Sequence, residues 1–229
     1  MTKKIYLLII ALCTMVLLPE RVQAQGEWRL GINGGATWNH YSLDKQYQSD
    51  YRYPTQWGGT AGMYTQYNFL DWLGLRAGAY FVQRNYKHTR VHYTSMLNMR
   101  YENNYLLFPV TANFSFGGQK VRGYVNAGVY GGAWLNYRCV GNDGNFVGMP
   151  ETKEVDEQLS LNPKRDERGD FGYTGGIGIE YRFHEHWLAQ VEATCYYSVI
   201  SATKQYSEHV KDYRYHTTIG LNVGLAYIF

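Results

Sequence analysis

Three groups of side chains in this sequence have the types that chemistry uses. Ser207, Glu208 and His209 bring together a hydroxyl, a carboxylate and an imidazole, the parts of a hydrolytic triad. That chemistry needs the serine held to the histidine and the histidine oriented by the acid. Three consecutive loop residues do not meet that geometry, and no oxyanion site accompanies them. His184, Glu185 and His186 suggest a metal. Two histidines on extended backbone do not converge without distortion, no further ligand cluster is near in sequence, and structural zinc takes four ligands. A solvated turn is the simpler account. His40, His88, His92 and His216 have no spacing that improves either case. The expectation is no catalytic, cofactor-binding or metal residue, no cofactor, and no enzyme.

The third group is Arg29, Arg76, Arg122, Glu180, Arg182 and Glu192. All fall on the same phase of alternating segments, so all point to one side of whatever those segments build. One chemistry for them is a polar path or a ligand site. The other is an internal salt-bridge network, because charges sheltered from water need partners. The network is the expectation.

The segments that position these groups alternate with period two, the signature of strands with one apolar and one polar face. Trp28, Leu30, Ile32, Ala36 and Trp38 lie opposite Arg29, Gly31, Asn33 and Thr37. Similar segments run over 56–68, 73–81, 106–116, 122–135, 171–183, 187–199 and 216–229. Pro109 cannot donate to a ladder and predicts a bulge or weak point. Trp134 breaks the alternation of its segment. About eight strands result. Their connections alternate long and short, with tight turns near 69–72, 117–120 and 184–186. The polar stretches 86–103 and 140–168 show no sustained period and read as loops. Long and short connections in alternation are the rhythm of an antiparallel up-and-down transmembrane β-barrel, in which the apolar face looks out into lipid.

With about eight strands the bore is narrow, and glycines must make room for the large inward groups. Arg29, Tyr64, Arg76, Tyr80, Tyr124, Tyr130, Glu180, Arg182, Glu192 and Tyr196 are available to fill it. Trp28, Trp38, Trp57, Trp72, Trp187 and Tyr227, near strand ends, predict aromatic girdles at the two interfaces.

Lys3 and Lys4 followed by the apolar run Ile5–Leu18 read as a secretory signal, too short for a stable spanning helix. Val22-Gln23-Ala24 offers a cleavage site, so residues 1–24 are the expected signal peptide and 25–229 the barrel domain. Lipidation at Cys13 is disfavoured by the bulky Leu12 before it. The signal holds Lys3, Lys4 and Arg21 against Glu20, which leaves 19 basic and 18 acidic residues and a mature charge of +1. That balance implies no nucleic-acid partner. Cys139 and Cys195 are far apart along and around the sheet, and no disulfide is expected between them.

Tyr105-Leu106-Leu107-Phe108-Pro109-Val110, Phe116-Gly117-Gly118 and Tyr124-Val125-Asn126-Ala127-Gly128 resemble the central signature of the PorT-like outer-membrane β-barrel family. So do Asp170-Phe171-Gly172 through Gly176-Ile177-Gly178-Ile179-Glu180-Tyr181, and the terminal Gly224-Leu225-Ala226-Tyr227-Ile228-Phe229. The resemblance implies a small barrel exported to the outer membrane of a Gram-negative cell, with no shared catalytic residues and, in some members, a part in secretion. The expected function is a structural or binding role through long external loops, linked to secretion or envelope assembly. A lipid-modifying enzyme and a small diffusion channel are the alternatives. The expected partners are outer-membrane lipid, the barrel-assembly machinery and a surface or periplasmic protein.

Overall fold

The computed structural model describes residues 26–45, 51–90, 98–143, 153–204 and 212–229. The signal segment, Cys13, His92, Ser207, Glu208 and His209 lie outside them. Among the described residues eleven strands form one sheet: β1 (Glu27–Lys45), β2 (Tyr51–Arg52), β3 (Gln56–Leu70), β4 (Leu73–Gln83), β5 (Tyr86–Arg90), β6 (Asn98–Gly117), β7 (Val121–Asp143), β8 (Lys153–Leu159), β9 (Gly169–His184), β10 (Trp187–Ser198) and β11 (Asp212–Ile228). Eight of them close a ring in the order β1, β3, β4, β6, β7, β9, β10, β11 and back to β1. Each pair around the ring is antiparallel. This is the up-and-down barrel that the alternation predicts. Among the described residues no helix is long and apolar enough to cross a membrane.

Two of the other three strands, β5 and β8, correct the expectation for 86–103 and 140–168. β5 and the first residues of β6 lie in the former, and β8 with the end of β7 in the latter. β2 pairs with β5, β5 with the start of β6, and β8 with the end of β7, so the wall continues past the barrel at the long-loop end. The extension's strands are short: Met99, Tyr137 and Cys139 are buried beside the exposed Arg100 and Arg138, too few steps to show a sustained period in the sequence although the backbone ladder continues.

The apolar side chains face outward. Val223 is 62% exposed, whereas the adjacent Asn222 is 5% exposed. Trp28 contacts Tyr67 at 4.8 Å, and Trp187 contacts Tyr227 at 5.3 Å, at the short-turn end. Trp38 contacts Trp57 at 5.1 Å toward the other end. The roughly ten steps from Trp28 to Trp38, at about 3.4 Å each and tilted by about 40°, rise about 26 Å, matching the ~25 Å apolar band of a membrane barrel. At the chain end, the Phe229 N–H donates to the Trp28 carbonyl (2.9 Å) and the Ile228 N–H to the His186 carbonyl (2.8 Å). Ile228, large on a face of small residues, is buried and packs into the inner cluster.

Pro109 weakens the ladder as expected. Pairing of β4 with β6 passes from Ala77–Val110 to Tyr80–Leu107 without a change of register, leaving Pro109 outside it. The bulge itself lies elsewhere. Asn104 pairs with Asn136 but Tyr105 with Trp134, so Leu135 is the extra residue on β7. That insertion moves the inward phase of β7 from even to odd numbers, so Tyr137 and Cys139 are buried beyond it, whereas Trp134, before it, keeps the inward phase of Tyr124 and Tyr130 and stacks on Tyr105 at 5.7 Å. The cysteines are not joined: Cys139 is buried opposite Tyr101, and Cys195 is exposed on the outer wall.

Inward tyrosines sit opposite glycines on the neighbouring strand. Tyr64 faces Gly31, Tyr80 faces Gly62, Tyr124 faces Gly178 and Tyr130 faces Gly172. A Cβ on Gly178 would overlap the Tyr124 ring and lie 2.7 Å from the Val191 carbonyl, whereas one on Gly131 meets nothing within 4 Å. Gly178→Ala is therefore expected to cost about 1–3 kcal/mol, the usual penalty of overpacking. Gly131→Ala should change little. Urea unfolding in lipid vesicles compares them, and equal transitions would mean that Tyr124 has room to move.

Candidate functional site

The lumen is filled by ionic and aromatic layers stacked between the two ends. Next to the short turns, Arg29 donates to Glu27 (2.6 Å) and Glu180 (2.8 Å), and Arg182 donates to Glu27 at 2.7 Å. In the middle, Glu192 accepts from three donors: Arg76 Nη1 at 3.0 Å, Tyr124 Oη at 3.1 Å and Asn126 Nδ2 at 2.6 Å. Arg76 also donates to Gln66 at 2.8 Å and lies over the rings of Tyr64 and Tyr124. Above it, Arg84 donates to Asp170 at 2.6 Å and to the Tyr130 hydroxyl at 3.1 Å. The Ser198 hydroxyl donates to the other oxygen of Asp170 at 2.5 Å. Between the middle and upper layers, a cavity of about 20 Å³ borders Arg76, Tyr80, Glu192 and Tyr196, room for about one water.

The inward group reads correctly from the sequence. Arg29, Tyr64, Arg76, Tyr80, Tyr124, Tyr130, Glu180, Glu192 and Tyr196 are all buried in the lumen. Arg122 and Arg182 belong to its short-turn mouth and are only half-buried; Arg122 donates to the Asp71 carbonyl. The upper layer was not legible as a unit. Arg84 follows the last alternating residue of β4, and Asp170 precedes the first of β9, so each lies at the margin of a periodic run. Arg84 is nonetheless completely buried.

His184 and His186 lie on the exposed β9–β10 turn, with ring centroids 6.2 Å apart. His186 Nδ1 is 3.0 Å from the Ile228 carbonyl and its ring stacks on Tyr227, so this side chain helps to pin the closing strand. His40 is exposed on β1. His88 and His216, remote in sequence, line one cavity.

That cavity opens at the long-loop end and has a volume of about 460 Å³. Its wall comes from the strand extensions that the sequence conceals. Tyr41 stacks on Tyr86 at 4.2 Å, Tyr86 on Tyr101 at 4.9 Å, and Tyr53 on His88 at 5.0 Å. Burial pushes the Tyr86 phenol well above its ordinary value. Trp134, Asn103, Arg165 and Asp166 complete its lower wall.

Comparison with known proteins agrees with this architecture. The family model for the outer membrane protein beta-barrel domain matches residues 9–229. No curated protein matches the sequence. Among solved structures, the chain is similar to the outer membrane protein OprG from Pseudomonas aeruginosa, with 14% identity and a TM-score of 0.52 over 91% of this chain and 99% of that one. It is also similar to the outer membrane protease OmpT from Escherichia coli, with 9% identity and a TM-score of 0.55 over 93% of this chain and 99% of that one. At such identities the likeness extends to the fold alone.

Proposed function

The chain belongs to the outer membrane protein beta-barrel domain family, and from that premise we propose that it is a closed, non-enzymatic barrel that binds through its outer rim. Its place is the outer membrane. The filled lumen carries the proposal. Arg29–Glu180, Arg76–Glu192 and Arg84–Asp170 span the bore at successive heights, and the small cavity between the upper two leaves no room for solute. Lumen carboxylates that already accept from two or three donors are held as structural anchors, which argues against their use as general bases. The short turns and both termini face the periplasm and the β2–β5 and β8 extensions face outward, following the loop asymmetry of such barrels.

The PorT-like segments around Tyr105–Val110 and Asp170–Tyr181 support the narrower kinship and a link to secretion or envelope assembly. In this proposal residues 1–24 are removed on export, the barrel-assembly machinery inserts the chain among outer-membrane lipids, and a surface or periplasmic protein engages it. Protein purified from outer membranes should begin at Gln25 by mass. It should show no conductance steps in planar bilayers and leave lipid A and phospholipid masses unchanged. Regular steps would replace the closed barrel with a channel, and a new lipid product would replace the binding role with an enzyme.

A further inference from the structure

The outer, apolar wall of the barrel is not evenly padded. Over β1, β11, β10 and β9 it sinks into a groove of about 710 Å³. The register runs across these strands as Ile32–Leu225–Ala189–Tyr181, and the next row begins with Gly34–Val223. Gly34 and Ala189 are small among large outward neighbours, so they form the hollow. Ile32, Leu225, Tyr181 and Val223 stand exposed around it. Asn33 and Gln190 also border the groove, but both are buried and turn their amides into the lumen. There Asn33 donates to the Tyr80 hydroxyl at 3.4 Å, and Gln190 accepts from the Tyr64 hydroxyl at 2.9 Å.

This lining selects its occupant. The Tyr181 phenol is the one polar group on an outward side chain that the groove offers. A peptide would bring backbone N–H and C=O groups that hydrocarbon leaves unsatisfied. A second copy meeting this face about a two-fold axis would set hollow against hollow, and the void between would forfeit contacts on both linings. A flexible hydrocarbon chain fills the groove with neither penalty, and the groove is continuous with the belt that lipid covers. It also has a direction. Tyr181 pairs with Val121, where β7 begins beside the short turns, whereas Gly34 lies well inside β1, which begins at Glu27. A half-exposed tyrosine at a membrane interface seats its hydroxyl among headgroups. From β9 to β1 the course covers three strand spacings, about 14 Å, near half of the ~30 Å hydrocarbon core. One end is polar and lies at the interface; the other is apolar and lies at mid-depth. A single lipid chain hung from its headgroup has the same polarity and reach.

We propose that this groove holds one acyl chain of a phospholipid of the periplasmic leaflet, with the Tyr181 hydroxyl donating to an ester or phosphate oxygen of that lipid. The leaflet rests on the orientation given in the preceding section. Protein extracted from outer membranes in dodecyl maltoside, washed through rising detergent concentrations and weighed by native mass spectrometry, should keep one phospholipid after bulk lipid is gone. Ala189→Phe, which fills the hollow with a ring, should lower the lipid-bound fraction about fivefold or more by removing the apolar seat. Ala189→Leu should lower it less. Tyr181→Phe, which removes only a hydroxyl, should lower it about two- to fivefold. Ala77→Phe, on the outward phase of β4 and away from the groove, should leave it unchanged. Circular dichroism would verify that each variant is folded. Equal retention by Ala189→Phe and Ala77→Phe, or a dimer in place of the lipid-bound monomer, would overturn the proposal. Retained lipid A in place of phospholipid would overturn it together with the orientation of the barrel. A wild-type barrel stripped of all lipid would overturn this inference alone, with the orientation and the closed bore standing.

Discussion

Glu192→Ala is expected to destabilise the barrel by about 3–5 kcal/mol, the usual cost of removing one member of a buried ion pair. The magnitude follows from what remains. Arg76 would keep its charge at mid-height in the bore, 5% exposed, with Gln66 and two tyrosine rings as its remaining partners. Tyr124 and Asn126 would each lose an acceptor as well. Glu192→Gln should cost less, because an amide oxygen still accepts hydrogen bonds. The double variant Arg76→Leu with Glu192→Leu should regain most of the loss, since paired buried charges are often replaceable by apolar groups of similar volume. Urea unfolding in lipid vesicles, extrapolated linearly, measures all three. Losses under about 1 kcal/mol for the single variant, or additive losses in the double, would show that the pair is not coupled and that solvent reaches the bore.

The core of this network was legible because a strand has a strict period of two. Once Val223 and Leu225 are assigned to lipid, Asn222 and Gly224 must face inward, and the same step places Arg76 and Glu192 on strands that the sequence alone cannot order around a ring. Their pairing at 3.0 Å needed the structure. Legibility failed where the strands are short. Tyr86–Arg90 and Lys153–Leu159 hold five and seven residues, too few steps to show a period, and the long-loop cavity that they help to wall could not be inferred. The bulge at Leu135 hid Tyr137 and Cys139 in another way: one inserted residue shifts the phase, so side chains that the earlier alternation would place outside are turned inward and buried. His88 and His216 illustrate the same limit. Each has an uninformative local spacing, and only the register that sets Tyr41 opposite His216 and Tyr86 opposite Tyr101 brings the two histidines to one cavity.

Val223→Arg should cost about 2–4 kcal/mol, and Phe183→Arg only about 0–1 kcal/mol, although the wild-type residues are comparably apolar and exposed. Depth makes the difference. Val223 pairs with Gly34 and Val191, close to midway between the Trp28 and Trp38 girdles. Phe183 lies at the last turn of β9, where an arginine reaches headgroups and water by extending its side chain. At Val223 the guanidinium must be dragged through hydrocarbon or must thin the bilayer around it. Val223 and Phe183 are 62% and 52% exposed, so a wall facing water would treat the two substitutions alike. Reversible unfolding of both variants in vesicles of one lipid composition separates the cases. A cost at Val223 that equals the cost at Phe183 would mean that the apolar band is not the lipid-facing belt. A cost that deepens when thicker bilayers bury Val223 further would tie the energy to the membrane itself, because no contact within the protein changes with lipid chain length.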